Sequence, residues 1–494
     1  MSVLAIDAGT TGVTALVVGE DARVRARGYE EFPQHFPRPG WVEHEPEQIW
    51  QATLSAVRQA LDGSDAAPTA IGITNQRETA VLWDRDSLAA PRRAVVWQDR
   101  RSAAICDELR EAGHEDRVRE LTGLRFDPYF TGTKLRWLGE NDERSWLGVT
   151  DGSVLIGTVD SYLVARLTAG GRHVTDASNA SRTLLFDITT GSWSEELCEL
   201  IGVPRSALPE VVPSYGEVAR SDPGAFLGLD LPIAGIAGDQ QAALFGQACY
   251  EVGDSKCTYG TGSFVLVNTG SELVRSDAGL LTTVAWMDPS GALTYAQEGA
   301  IFVTGAAIQW LRDGLGLIGS AAESEALAST VPDSGGVVFV PALTGLGAPD
   351  WDPAARGTIV GITRGTTRAH LVRATLDAIA FEVRDVVETL PETTTLRVDG
   401  GAAANGLLLQ LQADQLGLPV ERPEVLETTG LGAAFLAGIG TGVWSSTAEL
   451  AQTWRLDRRF EPTTSEYDDE GGGRDGAYRR WRAAVERAKG WAVE

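Results

Sequence analysis

Short apolar runs broken by glycine and charged residues open the chain. Residues 3–6, 13–18 and 23–31 read as three strands, and a helical spacing of apolar positions follows from about 46 to 61. A further strand is predicted at 70–74. The second half repeats that order: strand-like runs near 255–258, 264–268, 281–286 and 293–297 precede a helix from about 302 to 315. A long helix, about 367–388, then leads into a strand at 396–398. The order β-β-β-α-β occurring twice predicts two sheets with helices on their faces and a cleft between them. The boundary is expected near 246–253. An acidic stretch with consecutive glycines, 467–476, is predicted to be a link before a terminal helix at 477–493.

The two halves also share a turn. Asp7-Ala8-Gly9-Thr10-Thr11 lies between the first two runs, and Tyr259-Gly260-Thr261-Gly262-Ser263 leads into the run at 264–267. Each reads as a hairpin whose tip can cradle phosphate: glycine lets an anion approach the backbone, threonine hydroxyls and successive N–H groups donate, and Asp7 can hold a hydrated Mg²⁺. A plain hairpin needs no ligand, and with 56 glycines most such pairs are simply turns. Two tips in matching contexts favour a duplicated clamp.

Composition narrows the partner. At 494 residues two large domains are expected, and no apolar run approaches the roughly 18 residues of a membrane span. Lys plus Arg is 42 against 68 Asp plus Glu, a net charge of −26, which argues against nucleic-acid or anionic-membrane surfaces. A small, locally recognised ligand fits better. The four cysteines lack metal spacing and read as reduced thiols in a cytoplasm, and the five histidines form no zinc pattern. No export signal is visible.

Further chemistry sits between these landmarks. In Asp399-Gly400-Gly401-Ala402-Ala403-Ala404-Asn405 the paired glycines can admit a flat ring while Asn405 opens a helix; a capping Asn after a tight turn is the alternative. Gly238-Asp239-Gln240-Gln241 places a carboxylate at a helix start near the proposed boundary, either as a cap or as a base for a hydroxyl nucleophile. Arg77-Glu78 reads as a polar site or a solvated pair, and Trp97, Tyr129 and Phe264 as site walls or core. The only lysines are Lys134, Lys256 and Lys489, none preceded by glycine, so a P-loop is excluded, and protein-kinase strings are absent.

Longer strings carry a resemblance: GWVEHEPEQIW at 40–50, GITNQRET at 72–79, VVWQDRR at 95–101, DPYFTGTK at 127–134, NASRTLLF at 179–186, GIAGDQQAALFGQ at 235–247 and TGLGAP at 344–349. Together with signature-like segments at 129–141 and 357–377, they make the chain resemble the FGGY carbohydrate kinases of the actin/hexokinase/Hsp70 ATPase superfamily, in the branch that phosphorylates glycerol. The resemblance implies an α/β fold of two RNase H-like (actin-like ATPase) domains flanking a deep catalytic cleft. Residues 1–247 would carry the polyol site and first phosphate loop, and 248–494 the second phosphate loop and adenosine site.

It implies that Arg77, Glu78, Tyr129, Asp239 and Gln240 hold the hydroxyls of glycerol while Trp97 and Phe264 wall its carbon side. Asp239 would be the base; Thr10, Thr11, Thr261, Gly305, Gln309, Gly401 and Asn405 would bind ATP; Asp7 with Asp239 would hold Mg²⁺. The implied product is sn-glycerol 3-phosphate, and the implied assembly a homo-oligomer, dimer or tetramer.

Two departures stand out. Relatives read DQGTTSSR at the first phosphate loop, whereas here DAGTTGVT puts Thr14 where an arginine reaches toward the phosphates. Gly12-Val13 also resembles pentulose kinases, so a pentulose or other small polyol remains an alternative acceptor, and a non-catalytic polyol or nucleotide sensor a second alternative. Residues 223–231, where some relatives carry a basic loop for fructose 1,6-bisphosphate, have no Lys or Arg, and no histidine occurs between His173 and His370. Control by that effector or by histidine phosphorylation is therefore predicted absent.

Overall fold

The computed structural model describes residues 1–391, 393–463 and 473–492. Its first sheet is built from β1 (Ser2–Ala8), β2 (Gly12–Gly19), β3 (Val24–Glu31), β4 (Ala70–Asn75), β5 (Tyr215–Arg220) and β6 (Pro232–Gly238) in the order β5-β6-β4-β1-β2-β3. β1 pairs antiparallel with β2 and parallel with β4, which pairs parallel with β6. β1 and β4 are apolar on both faces because both faces are covered, one of them by α1 (Pro46–Asp62), whose Ile49, Trp50, Thr53 and Val57 point inward. The long insert between β4 and β5 is mostly helical and brings Tyr129 and Arg182 to the cleft.

The second sheet comprises β7 (Ser255–Tyr259), β8 (Ser263–Gly270), β9 (Leu281–Met287), β10 (Leu293–Ile301), β11 (Leu396–Asp399), β12 (Val420–Pro423) and β13 (Leu456–Phe460), ordered β9-β10-β8-β7-β11-β12-β13. Leaving out β9, the spatial order and sense of pairing match the first sheet, but the outer two strands are reversed in chain order, edge β5 preceding β6 whereas β12 precedes edge β13. The expected repeat is present over the first four strands, except that the run at 281–286 is an extra edge strand and β10 takes the third place. β9 is not left as a bare edge. Thr282 N–H donates to the Gly123 carbonyl at 3.0 Å and Thr283 meets Ser181 at 2.8 Å, so the insert of the first half covers it.

Five helices complete the frame around the cleft: α2 (Asp239–Gly246), α3 (Gly305–Gln309), α4 (Arg368–Val387), α5 (Gly406–Leu416) and α6 (Thr428–Gly440). The helix expected over 302–315 is α only in α3 and widens to a π turn over Trp310–Gly314, where Leu315 N–H returns to the Trp310 carbonyl at 3.0 Å and the indole stacks on Phe339 at 5.4 Å. α6, far along the chain, packs on β4, β6 and α2 of the first half. A Cβ on Gly72 would collide with the Ala433 main chain, and one on Gly432 with that of Ala242, so these backbones touch directly. The terminal helix α7 (Arg474–Ala488) begins earlier than predicted, and Trp481 seats it by stacking on Phe381 at 5.6 Å. Of the predicted link, 467–472 lies outside the described residues. None of the described helices is long and apolar enough to cross a membrane.

Candidate functional site

Both glycine-threonine turns are hairpin tips. Asp7 opposes Thr14 and Ala8 opposes Val13, leaving Gly9, Thr10 and Thr11 at the first tip ahead of Gly12; Tyr259 opposes Ser263 around the second. Thr11 and Thr261 are exposed and Thr10 half-buried, its Oγ1 accepting from the Trp97 indole N–H at 2.9 Å. The second tip is braced from behind: Gly305 N–H donates to the Gly260 carbonyl at 3.0 Å and Ala306 N–H to that of Thr261 at 3.1 Å.

A cavity of about 500 Å³ opens beside that second tip. Thr261, Gly305, Gln309, Gly401 and Asn405 all line it, with Ile308, Leu376 and Leu408 as apolar walls. It has the size and mixed lining of a nucleoside pocket. Gly400, at φ +85°, turns the chain where a side chain would meet the Tyr259 carbonyl at 2.5 Å, whereas a Cβ on Gly401 meets nothing within 4 Å. Asn405 both lines the cavity and caps α5 through the Leu408 N–H at 2.9 Å, so its two readings coexist.

Between the halves lies a buried charge cluster. Arg77 is 2% exposed and Glu78 1%, which removes the solvated-pair reading. The Arg77 guanidinium donates to both oxygens of Glu298, at 2.5 and 3.2 Å, to the Tyr129 hydroxyl at 3.0 Å and to Gln241 Oε1 at 3.2 Å, and its Nε lies 3.1 Å from Asp239 Oδ1. Arg182 bridges Glu78 at 2.7 Å and Glu298 at 2.8 Å. Two guanidiniums and two carboxylates thus neutralise one another out of water, as buried charges must. Glu78 holds φ +60°, a left-handed backbone rarely kept by a side-chain-bearing residue without cause.

Asp239 is the first residue of α2, but Gly238 occupies the cap position, so the capping alternative fails. Its side chain is 29% exposed and faces the cleft. Burial raises its carboxyl, against the pull of Arg77 and Lys256. Trp97, Tyr129 and Phe264 close one side, with ring centroids 5.7 Å apart for Trp97–Tyr129 and 6.3 Å for Trp97–Phe264. Gln240 is buried, and its Oε1 accepts from Lys256 Nζ at 2.5 Å.

The sequence reading missed Glu298, Arg182, Gln241, Lys256 and Lys134. Lys134 is wholly buried and donates to the carbonyls of Tyr129 at 2.5 Å, Phe130 at 3.2 Å and Glu78 at 3.4 Å, joining the two loops that carry Tyr129 and Glu78. Burial pushes its ammonium down to about 7. Arg182 and Lys134 sat inside recognisable strings; Glu298 carried no local signal at all.

Asp7, half-buried at the end of β1, has no donor on its carboxylate among the described residues. Burial, then the nearby charges of Asp239 and Glu427, push it up to about 8. Under-neutralised hard oxygen donors of this kind fit a Mg²⁺ that keeps most of its waters and takes its remaining ligands from phosphate. No cluster of three or more ligating side chains occurs among the described residues, as a hydrated ion of that kind would not need one.

Comparison with known proteins shows the family. The N-terminal domain of the FGGY family of carbohydrate kinases matches residues 2–246 and the C-terminal domain matches 255–441. The chain is 52% identical to glycerol kinase 2 of Thermotoga maritima, covering 99% of each, and 51% identical to glycerol kinase of Carboxydothermus hydrogenoformans, covering 100% of this chain and 99% of that one. Among solved structures, Plasmodium falciparum glycerol kinase with ADP superposes with a TM-score of 0.89 at 33% identity, covering 99% of this chain and 98% of that one. A Brucella ovis xylulose kinase gives 0.85 at 25% identity, with 98% of each chain covered.

Proposed function

The chain belongs to the FGGY family of carbohydrate kinases, and from that premise we propose that it transfers the γ-phosphoryl group of ATP to glycerol, giving sn-glycerol 3-phosphate and ADP. The observation that carries the reading is the convergence at the cleft of two kinds of group, the polar Arg77, Tyr129 hydroxyl and Asp239 and the aromatic Trp97 and Phe264. A three-carbon polyol needs that division, since its hydroxyls must be paired and its CH edge buried. Relatives named glycerol kinase, about half identical along the whole chain, support the same acceptor.

In this reading Arg77, Glu78, Tyr129 and Gln240 orient the acceptor hydroxyls and Asp239 accepts the proton as a glycerol oxygen attacks the γ-phosphorus. The bond to the ADP oxygen breaks in line. Thr10, Thr11 and Thr261 present hydroxyls and backbone N–H groups to the phosphates, and the walls at Gly305, Gln309, Gly401 and Asn405 hold adenosine. Asp7 and Asp239 would hold Mg²⁺, which would supply Lewis-acid neutralisation of the phosphate charge. In this reading 1–247 carries the acceptor's polar groups and the first phosphate loop, and 248–494 the second loop, the adenosine walls and the acceptor's Phe264 wall. A cytoplasmic homo-oligomer, dimer or tetramer, completes the proposal.

The test is ADP release by the purified protein with ATP and Mg²⁺ across glycerol, dihydroxyacetone, erythritol, D-xylulose and D-ribulose. Preference for glycerol is expected. Preference for a pentulose would reassign the acceptor, and ligand-induced thermal stabilisation without any turnover would leave a sensor. Asp239→Asn should abolish turnover while calorimetry still detects glycerol binding; near-normal turnover removes Asp239 from the base role.

A further inference from the structure

The first phosphate hairpin lacks a cation at position 14, yet its surroundings are built to supply a donor. Asp7, Thr14 and Tyr29 stand directly opposite one another on three adjacent strands and therefore share one face of the sheet. The next row carries Leu16 and Arg27, and the Leu16 side chain reaches Gly430 of α6, so this is the face turned toward that helix. Thr14, between Asp7 and Tyr29 in this row, is short and carries no charge.

Tyr29 leans along the strand toward the tip. A Cβ on Gly12 would lie 2.9 Å from both its Oη and its Cε2, and 2.6 Å from the Glu30 carbonyl, so the phenol can rest there only because residue 12 has no side chain. The ring is half-buried, but its hydroxyl has only a 3.5 Å contact to the exposed Glu31 carboxylate, at the limit of a hydrogen bond. The Arg27 guanidinium lies 5.3 Å from the ring centroid and is held by Glu427 at 3.0 Å. A cation over the ring draws density from the phenol and improves the hydroxyl as a donor.

We propose that Tyr29, laid over Gly12 and backed by Arg27, is a phosphate-binding donor of the first hairpin that takes over the contact a longer cationic side chain at position 14 would make. The inference rests on the reading of this cleft as an ATP site. Gly12, Thr14 and Tyr29 then form one unit: the two small residues clear the path and the phenol fills it.

The test compares wild type, Tyr29→Phe and Tyr29→Phe/Thr14→Arg as full-length protein. Tyr29→Phe removes one oxygen, so the fold should hold. We expect kcat/KM for ATP to fall about tenfold, the loss typical of one hydrogen bond to a charged group, with KM for glycerol unchanged. The added Thr14→Arg should recover most of that loss. Calorimetry with the β,γ-imido analogue of ATP and with AMP gives a readout that needs no turnover: Tyr29→Phe should weaken the triphosphate analogue selectively. Unchanged affinity for the analogue, or equal weakening of analogue and AMP, overturns the proposal. A wild type that binds the analogue but phosphorylates none of the five acceptors overturns the phosphotransfer reading alone, and the binding comparison still decides on Tyr29.

Discussion

Replacing Glu298 by Gln tests whether the cluster beneath the cleft is a structural and functional unit. The carboxylate is wholly buried, and its two oxygens serve Arg77 and Arg182 at 2.5, 3.2 and 2.8 Å. Burial by itself raises this carboxyl, but the two guanidiniums outweigh it and hold it below the usual range. Glutamine keeps the shape and one acceptor but removes the charge, leaving two buried guanidiniums facing Glu78 and the partly exposed Asp239. Uncompensated buried charge of this kind costs about 3–5 kcal/mol, so a loss of unfolding free energy of that size, read as a lower denaturation midpoint at unchanged slope, is expected. Arg77 also loses its strongest anchor, so KM for glycerol should rise by about tenfold or more while KM for ATP stays put, since loss of one charged hydrogen bond is worth at least that factor. Adding Arg182→Met to Glu298→Gln restores neutrality, and the double variant should be destabilised less than the sum of its singles. A loss below about 1 kcal/mol, the scale of an exposed pair, or a KM change confined to ATP, would refute the reasoning.

Three further outcomes are expected. Gly401→Val should leave thermal stability near wild type while raising KM for ATP at least tenfold, because its side chain enters the open cavity proposed to hold adenosine; Gly400→Ala should instead lower stability, and unaltered stability would contradict the clash at Tyr259. His44 is wholly buried, and burial, then His35, push it down to about 4 from an ordinary 6.5. Its neutral form is favoured by folding, so its contribution is intact above pH 6.5 and is lost as pH falls through 4, amounting to about 3 kcal/mol. His44→Asn should flatten the stability profile by that amount between those limits, measured by denaturation at each pH, and identical slopes would sink the assignment.

The sequence was most informative where the chemistry is local. Glycine and threonine punctuate both hairpin tips within five residues, and strand patterns on either side fix their register, so the tips and the duplicated order were readable. The run at 281–286 reads as a strand just as that at 293–297 does, and only the long-range pairing shows that it has a single strand neighbour, its other side being covered by Gly123 and Ser181 of the insert. Glu298 was invisible because its partners are 221 and 116 residues away, and a lone Glu in a strand gives no hint of two arginines. α6 left no periodic trace either: TTGLGAAFLAGIG is small or apolar on every side, because every side is covered.

That helix also constrains the order in which the protein can be made. The surface of β4 and β6 that α6 covers is shaped for bare backbone, with Gly72 and Gly235 leaving a trough that the main chain of α6 fills. During translation the strands of the first sheet leave the ribosome long before residues 428–440 do, and the whole second sheet except its last strand is synthesised in between. The N-terminal half must therefore wait, partly uncovered, for a segment near the far end of the chain, which is the costly long-range closure that slows folding and invites chaperone capture.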